Sequence, residues 1–313
     1  MKNKTVNELK DDLNSVITIP LIPFRNGKID YDAHEKNIRY LMENNFLSDN
    51  RPRVICIAGT SLIHHVSIEE QNRLIEETGK MMGNKGLLMS AIAPNPISQA
   101  SDLIQTQSQM KRVPDVFLIM PLTGTYSTEG LYDSFVDFAD HHGEKYDAKF
   151  LYYYRQPRDR EAIIRLIKDS KHFVGVKIGT VEEDVPVFVD ALQDSGIVIW
   201  GVGDRSTRAA WLGAKGHTSG ISVLFAQAGD RINNAQREAD YSASKHFETR
   251  ISPFEEIRFE NGRVYNYAAV VEAMKLSGFE DIDGGEGGPF NPRVSSSVAK
   301  RIQDAILPIL DLH

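Results

Sequence analysis

Lys177 closes the apolar run Phe173-Val174-Gly175-Val176. A lysine on an apolar strand inside a protein loses hydration, which disfavours its charged form, and a neutral amine is a nucleophile towards a ketone. The competing reading is a lysine at the strand end that snorkels to solvent. Tyr152 lies in the run before it, Lys149–Tyr153. Aromatic residues are common in strands as core or rim, but a phenol on a strand next to a reactive amine could relay protons to it. Gly59-Thr60-Ser61 offers open backbone and two hydroxyls at another run's end. That suits an anion nest for a carboxylate, although such triplets are also ordinary turns. His64 and His65 invite a metal reading, but adjacent histidines point in different directions and no further ligand stands at metal-site spacing, so no metal is expected.

Placing these groups requires a sheet. Short β-branched runs recur at Ser15–Ile19, Arg53–Ala58, Gly86–Ile92, Asp115–Met120, Lys149–Tyr153, Phe173–Lys177, Gly196–Gly201 and Gly216–Ile221. Amphipathic stretches of helical period lie between them, among them Ala33–Met42, Ile68–Met82, Ile97–Met110 and Leu131–His141. Alternating β and α with near-continuous apolar strands means a parallel sheet covered by helices, either doubly wound or closed. The tally of strands matches the closed (β/α)8 barrel, and no glycine-rich phosphate loop follows the first run. Gly201-Val202-Gly203-Asp204 begins like a dinucleotide fingerprint but lacks its third glycine and comes late in the chain. The strand pattern ends at Ile221, and the remainder reads as helices at Gly229–Glu248, Pro253–Phe259, Val264–Leu276 and Val294–Leu307, with a turn-rich Asp283–Pro292. The expected organisation is a barrel over 1–225 and a helical region packed on it over 226–313.

Composition narrows the function classes. The chain has 313 residues and a formal net charge of −7, which argues against sequence-independent nucleic-acid binding but leaves room for a local basic pocket. Cys56 is the only cysteine and sits in an apolar run, so it reads as a small buried hydrophobe in a reducing compartment. No apolar run approaches the roughly 18 residues of a membrane span or the centre of a signal peptide, and a cytoplasmic location is expected.

In a β/α barrel the reactive groups project from the C-terminal ends of strands. Taken together, the polar residues at these ends resemble those of the dihydrodipicolinate synthase and N-acetylneuraminate lyase superfamily of Schiff-base barrels. Ile22-Pro23-Phe24 with Asn26-Gly27-Lys28-Ile29-Asp30 is similar to its T-P-F and D-G-x-(I/V)-D, and Gly59-Thr60-Ser61 with Ser67-Ile68-Glu69-Glu70 to its carboxylate loop and helix start. Pro121 with Ser127-Thr128-Glu129-Gly130-Leu131-Tyr132, Leu151-Tyr152, Val174-Gly175-Val176-Lys177, Gly203-Asp204 and Gly220-Ile221-Ser222 continue the likeness in order. Thr218-Ser219-Gly220, Pro253–Arg258 and Gly288–Pro292 are more loosely similar to the 5-dehydro-4-deoxyglucarate dehydratase-like branch.

The resemblance implies Lys177 as the imine-forming amine, Tyr152 as general acid/base, and Gly59, Thr60 and Ser61 as holders of a substrate carboxylate, with Gly220 and Ile221 beside them. It implies a lyase acting on a 2-oxo acid, either an aldolase of a 2-keto-3-deoxy sugar acid with pyruvate or a dehydratase, and a ligand-binding homologue without turnover is the alternative. No metal or organic cofactor is implied, and the assembly is a homotetramer built as a dimer of dimers, or a dimer. Two departures stand out. Leu122 and Thr123 occupy the places of a tyrosine pair, and Tyr153-Tyr154-Arg155-Gln156-Pro157-Arg158 replaces a Y-N-V-P segment followed by arginine. True dihydrodipicolinate synthesis is therefore not expected, and His64, His65, Arg155 and Arg158 are the candidates for the distal part of the pocket.

Overall fold

The computed structural model describes residues 4–313, apart from the side chain of Thr60. Eight strands, β1 (Val16–Thr18), β2 (Val54–Ile57), β3 (Leu87–Ile92), β4 (Val116–Ile119), β5 (Phe150–Tyr154), β6 (Phe173–Ile178), β7 (Ile197–Trp200) and β8 (His217–Ser219), pair in parallel and close into a barrel. This is the (β/α)8 architecture that the alternating runs predict. Helices α1 (Val6–Leu13), α2 (Tyr31–Glu43), α3 (Ile68–Met82), α4 (Ile97–Gln107), α5 (Thr128–Tyr146), α6 (Arg160–Asp169), α7 (Asp184–Leu192) and the short α8 (Thr207–Trp211) precede the last strand. A small hairpin, Phe24–Arg25 with Lys28–Ile29, follows β1.

Two of the sequence motifs prove to be helix starts. The Ser67 hydroxyl accepts the Glu70 N–H at 3.1 Å while the Glu70 carboxylate accepts the Ser67 N–H at 2.8 Å, a reciprocal capping box that begins α3. Ser127 likewise caps α5 through the Gly130 N–H at 3.0 Å.

After β8 come α9 (Ala226–Arg237), α10 (Tyr241–Arg263), α11 (Ala268–Ser277) and α12 (Ser296–Ile306). The helix predicted over Gly229–Glu248 is two helices, because the chain turns at Ala239 in a left-handed conformation (φ 57°) and Asp240 caps α10. The separate helix predicted at Pro253–Phe259 is part of α10, which accommodates Pro253 in its interior. Buried residues of these helices, such as Phe254, Val270 and Ile302, belong to the same apolar cluster as Ile17, Ile55 and Leu88 of the barrel. The Asp283–Pro292 stretch is ordered, with Gly285 bridging to Phe24.

The strand that carries Lys177 is irregular. Along β5 the alternation is simple: Phe150, Tyr152 and Tyr154 pack towards the helices, while Leu151 and Tyr153 belong to the other cluster, inside the barrel. On β6 the register with β5 slips, so that Phe150 pairs with Phe173 but Leu151 pairs with Gly175. The extra residue changes the parity. Phe173 faces the helices and Val174 the interior, yet Val176 and Ile178 again face the helices, which turns Lys177 inward. Gly175 makes the bulge possible, since it sits at φ 153° and a β-carbon there would collide with the backbone carbonyl of Ile197. Gly175→Ala should therefore lower the unfolding free energy by about 1–3 kcal/mol, measured by denaturant titration, and slow any chemistry at Lys177. A variant of wild-type stability would show that the bulge does not need glycine.

Candidate active site

Lys177 and Tyr153 stand side by side in the pairing of β5 with β6. Lys177 is only 4% exposed, and its Nζ lies 4.0 Å from the centroid of the Tyr153 ring. Both line a cavity of about 180 Å3 at the C-terminal mouth of the barrel. That is small against the ~300–1,000 Å3 of drug-sized pockets, so it suits a compact ligand. Gly201 gives the lysine its space, because a β-carbon there would come within 2.7 Å of Lys177 Cε. Gly59, Thr218 and Gly220 complete the barrel side of the cavity.

The other wall comes from beyond the barrel. Arg258, Phe259 and Arg263 of α10, with Asn266 just after it, close over the strand ends. Arg258 is buried and fully engaged: it pairs with Glu255, and its Nη2 donates to Asn266 Oδ1 at 2.7 Å. Glu255 also accepts the Asp204 N–H at 3.2 Å, so the loop after β7 is tied to α10. Burial holds the Glu255 carboxyl above the usual carboxylate range despite Arg258. Beneath this, Asp204 accepts from the Ser219 hydroxyl at 2.9 Å, and Ser219 in turn accepts the Ser222 N–H at 3.0 Å.

Electrostatics single out Tyr153. Burial alone would push its phenol up, but Lys177 first, then Arg155 and Arg263, outweigh it and bring it down to about 8. Arg155 Nη1 donates to the Tyr153 hydroxyl at 3.3 Å and its side chain lies on the surface. A phenol with such a value can pass protons near neutrality.

The structure corrects several expectations. Tyr152 does not meet Lys177: it faces the helices, packs edge-on against Phe135 at 5.7 Å between centroids, and burial pushes its phenol up. Ser61 is buried, and both its groups are already engaged. Its N–H donates to the Ala58 carbonyl at 2.9 Å, while its hydroxyl donates to the Pro20 carbonyl at 2.5 Å and accepts the Ala58 N–H at 3.2 Å. The Thr60 side chain lies outside what the structure describes. Ile221 is buried in the core, so of the pair only Gly220 reaches the cavity. His64 and His65 are exposed, the latter set against Phe290 at 5.1 Å between ring centroids. Neither lines the cavity, and Arg158 sits instead over the Tyr126 ring at 4.2 Å. Cys56 is buried in β2 with its thiol pushed up to about 12 by burial. Sequence reasoning missed Tyr153, Phe259, Arg263 and Asn266. The Asn261-Gly262 turn pair was the one local signal that α10 would break near the site.

Residues 12–283 match the dihydrodipicolinate synthetase family model. The chain belongs to that family. It is a family of lyases. A 4-hydroxy-tetrahydrodipicolinate synthase of Thermotoga neapolitana is 24% identical over 216 residues, covering 66% of this chain and 69% of that protein. The one from Thermotoga maritima is 22% identical over 273 residues, 84% of this chain and 88% of its own. Among solved structures, dihydrodipicolinate synthase from Bacillus clausii superposes with a TM-score of 0.84 at 22% identity, covering 95% of this chain and 98% of that one. A monomeric dihydrodipicolinate synthase variant gives 0.82 at 18%, covering 97% and 99%.

Spectrophotometric titration of tyrosinate tests the site's electrostatics. One tyrosine should ionise near pH 8. The step should vanish in Tyr153→Phe and move upward in Lys177→Met, where a neighbouring cation is lost. Finding no tyrosine that ionises below the ordinary range near 10 would contradict the arrangement.

Proposed function

We propose that the protein is a Schiff-base-forming lyase acting on a 2-oxo acid, with Lys177 as the imine-forming amine and Tyr153 as the general acid/base. The observation that carries this is the buried Lys177 amine against the Tyr153 ring in a cavity at the barrel mouth. In its free-base form Nζ adds to the C2 carbonyl carbon, and the carbonyl oxygen takes up a proton to give a carbinolamine. That hydroxyl leaves as water after protonation by the Tyr153 phenol, forming an iminium conjugated to the C1 carboxylate.

The iminium is an electron sink. When the C4 hydroxyl of a 2-keto-3-deoxy sugar acid gives its proton to the Tyr153 phenolate, the C3–C4 bonding pair moves into the iminium. An aldehyde departs and an enamine of pyruvate remains. Protonation of the enamine at C3 and hydrolysis then release pyruvate and restore the amine. The same steps in reverse condense pyruvate with an aldehyde. A dehydratase would use the same iminium, losing a C3 proton and a hydroxyl further along the chain, and product analysis separates the two outcomes. The reaction as written needs neither metal nor organic cofactor.

With the Ser61 hydroxyl engaged by the Pro20 carbonyl and the Ala58 N–H, the open backbone at Gly59 and Gly220 is the surface offered to the C1 carboxylate. The proposed setting is the cytoplasm, and the proposed assembly is a homotetramer of two dimers, with a dimer as the alternative. Light scattering decides the assembly.

Incubation with pyruvate and borohydride, followed by peptide mass spectrometry, should locate a reduced adduct on Lys177. Lys177→Ala should give none, Tyr153→Phe should form it about 100-fold more slowly, and Tyr152→Phe should match wild type. An unlabelled Lys177 under conditions that label a known Schiff-base aldolase refutes the proposal. Labelling without turnover of any keto-deoxy sugar acid points instead to a ligand-binding protein.

A further inference from the structure

The turn that offers Gly59 to a ligand ends on a residue in a disfavoured backbone state. Ser61 N–H donates to the Ala58 carbonyl at 2.9 Å and Leu62 N–H to the Gly59 carbonyl at 3.0 Å, and Leu62 itself sits at φ 60°, ψ 31°. In this left-handed region the β-carbon of an L residue crowds the following carbonyl oxygen. The Leu62 carbonyl at once accepts the His65 N–H at 2.9 Å, which opens the next turn. A strained state of this kind persists where the surroundings enforce it, and it recurs at ligand sites.

The enforcing contacts come from a distant part of the chain. Leu62 is buried, and its side chain lies beneath the glycine-rich strap 283–292: a β-carbon at Gly288 would come within 2.7 Å of Leu62 Cδ1 and 3.1 Å of Phe24 Cδ2. The strap is itself pinned. Glu286 N–H donates to the Phe24 carbonyl at 2.8 Å, and the Asn37 amide exchanges two hydrogen bonds with the Asp283 backbone at 2.7 and 2.8 Å. Arg25 Nη2 adds a bond to Asp283 Oδ2 at 2.9 Å. Phe24 and the strap therefore hold the Leu62 side chain, and the side chain holds the turn.

A trans peptide sets its carbonyl and its N–H on opposite sides. Tying the Gly59 carbonyl to Leu62 thus fixes the direction of the Thr60 N–H in the same peptide, and with it the Gly59 backbone that lines the cavity. We infer that Leu62, locked by Phe24 and the strap, is a positioning residue for the carboxylate of the 2-oxo acid. It does not line the cavity and acts through the turn. The inference rests on the reading of Gly59 as part of the carboxylate surface. Packing of the leucine side chain offsets the left-handed penalty, so alanine, which keeps the β-carbon and loses the packing, should release the turn. Glycine carries no such penalty and should keep it.

Borohydride trapping on Lys177 tests this when it is followed against concentration for pyruvate and for pyruvamide, a neutral ligand of the same shape. Leu62→Ala should raise the half-maximal concentration of pyruvate about tenfold, the equilibrium weight of one left-handed penalty, and leave that of pyruvamide unchanged. Leu62→Gly should stay within about twofold of wild type for both ligands. Gly288→Val, which presses a branched side chain onto Leu62 from outside the cavity, should weaken pyruvate selectively as Leu62→Ala does, and it reads the same contact if Leu62→Ala does not fold. A loss shared by pyruvamide, a Leu62→Gly protein as weak as Leu62→Ala, or wild-type values in Leu62→Ala and Gly288→Val overturn the inference. If Lys177 takes no label from either ligand, the Schiff-base reading falls, and ligand-observed NMR with propionate and propionamide decides the role of Leu62 separately. Propionate alone should then bind more weakly in Leu62→Ala and not in Leu62→Gly, and equal affinities across the three proteins would overturn it.

Discussion

The arrangement depends on one irregularity in strand pairing. Had β6 alternated strictly from Phe173, Lys177 would fall on the helix-facing side with Tyr152. There its amine would be buried among apolar side chains with no route to a ligand. The slipped register between β5 and β6, permitted by Gly175 against Ile197, turns the lysine into the barrel opposite an unbulged β5 that presents Tyr153. A single residue of register thus selects which of three consecutive tyrosines stands beside the amine.

The helical region is part of the site rather than an attachment to it. The Glu255–Arg258 pair is buried, joined to Asn266 and to the Asp204 N–H, and it clamps α10 over the ends of β7 and β8. Removing one partner of such a pair leaves an uncompensated charge, typically worth about 3–5 kcal/mol. The cost of keeping it is therefore tied to position: the buried Glu255–Arg258 pair holds Phe259 and Arg263 at the cavity that Lys177 lines. A second buried pair, Arg53 with Asp230 at 2.6 Å, fixes α9 to the segment entering β2, so the helices that follow the last strand are anchored at more than one place.

The β/α alternation was legible because parallel strands buried on both faces read as continuous apolar runs, and all eight fall where the runs predict. Lys177 was legible for the same reason, as a charge at the end of such a run. The choice between Tyr152 and Tyr153 was not, because periodicity places residues relative to one another within a strand but cannot reveal a bulge in the neighbouring one. Ser61 looked free because its partner, the Pro20 carbonyl, is 41 positions away in the chain. Arg263 was hidden for a related reason: the break before it shows as the gap between the helices predicted at Pro253–Phe259 and Val264–Leu276, but its place in the cavity depends on long-range packing that leaves no periodic trace.

A covalent imine in this cavity would have a definite geometry. A crystal structure of the protein soaked with pyruvate tests it most directly. Continuous density is expected from Lys177 Nζ to C2 of the ligand, with the Tyr153 hydroxyl within about 2.6–3.2 Å of the reacting atoms and Tyr152 still turned towards α5. Pyruvate bound elsewhere, or bound here with Lys177 unlinked and Tyr153 turned away, would contradict it.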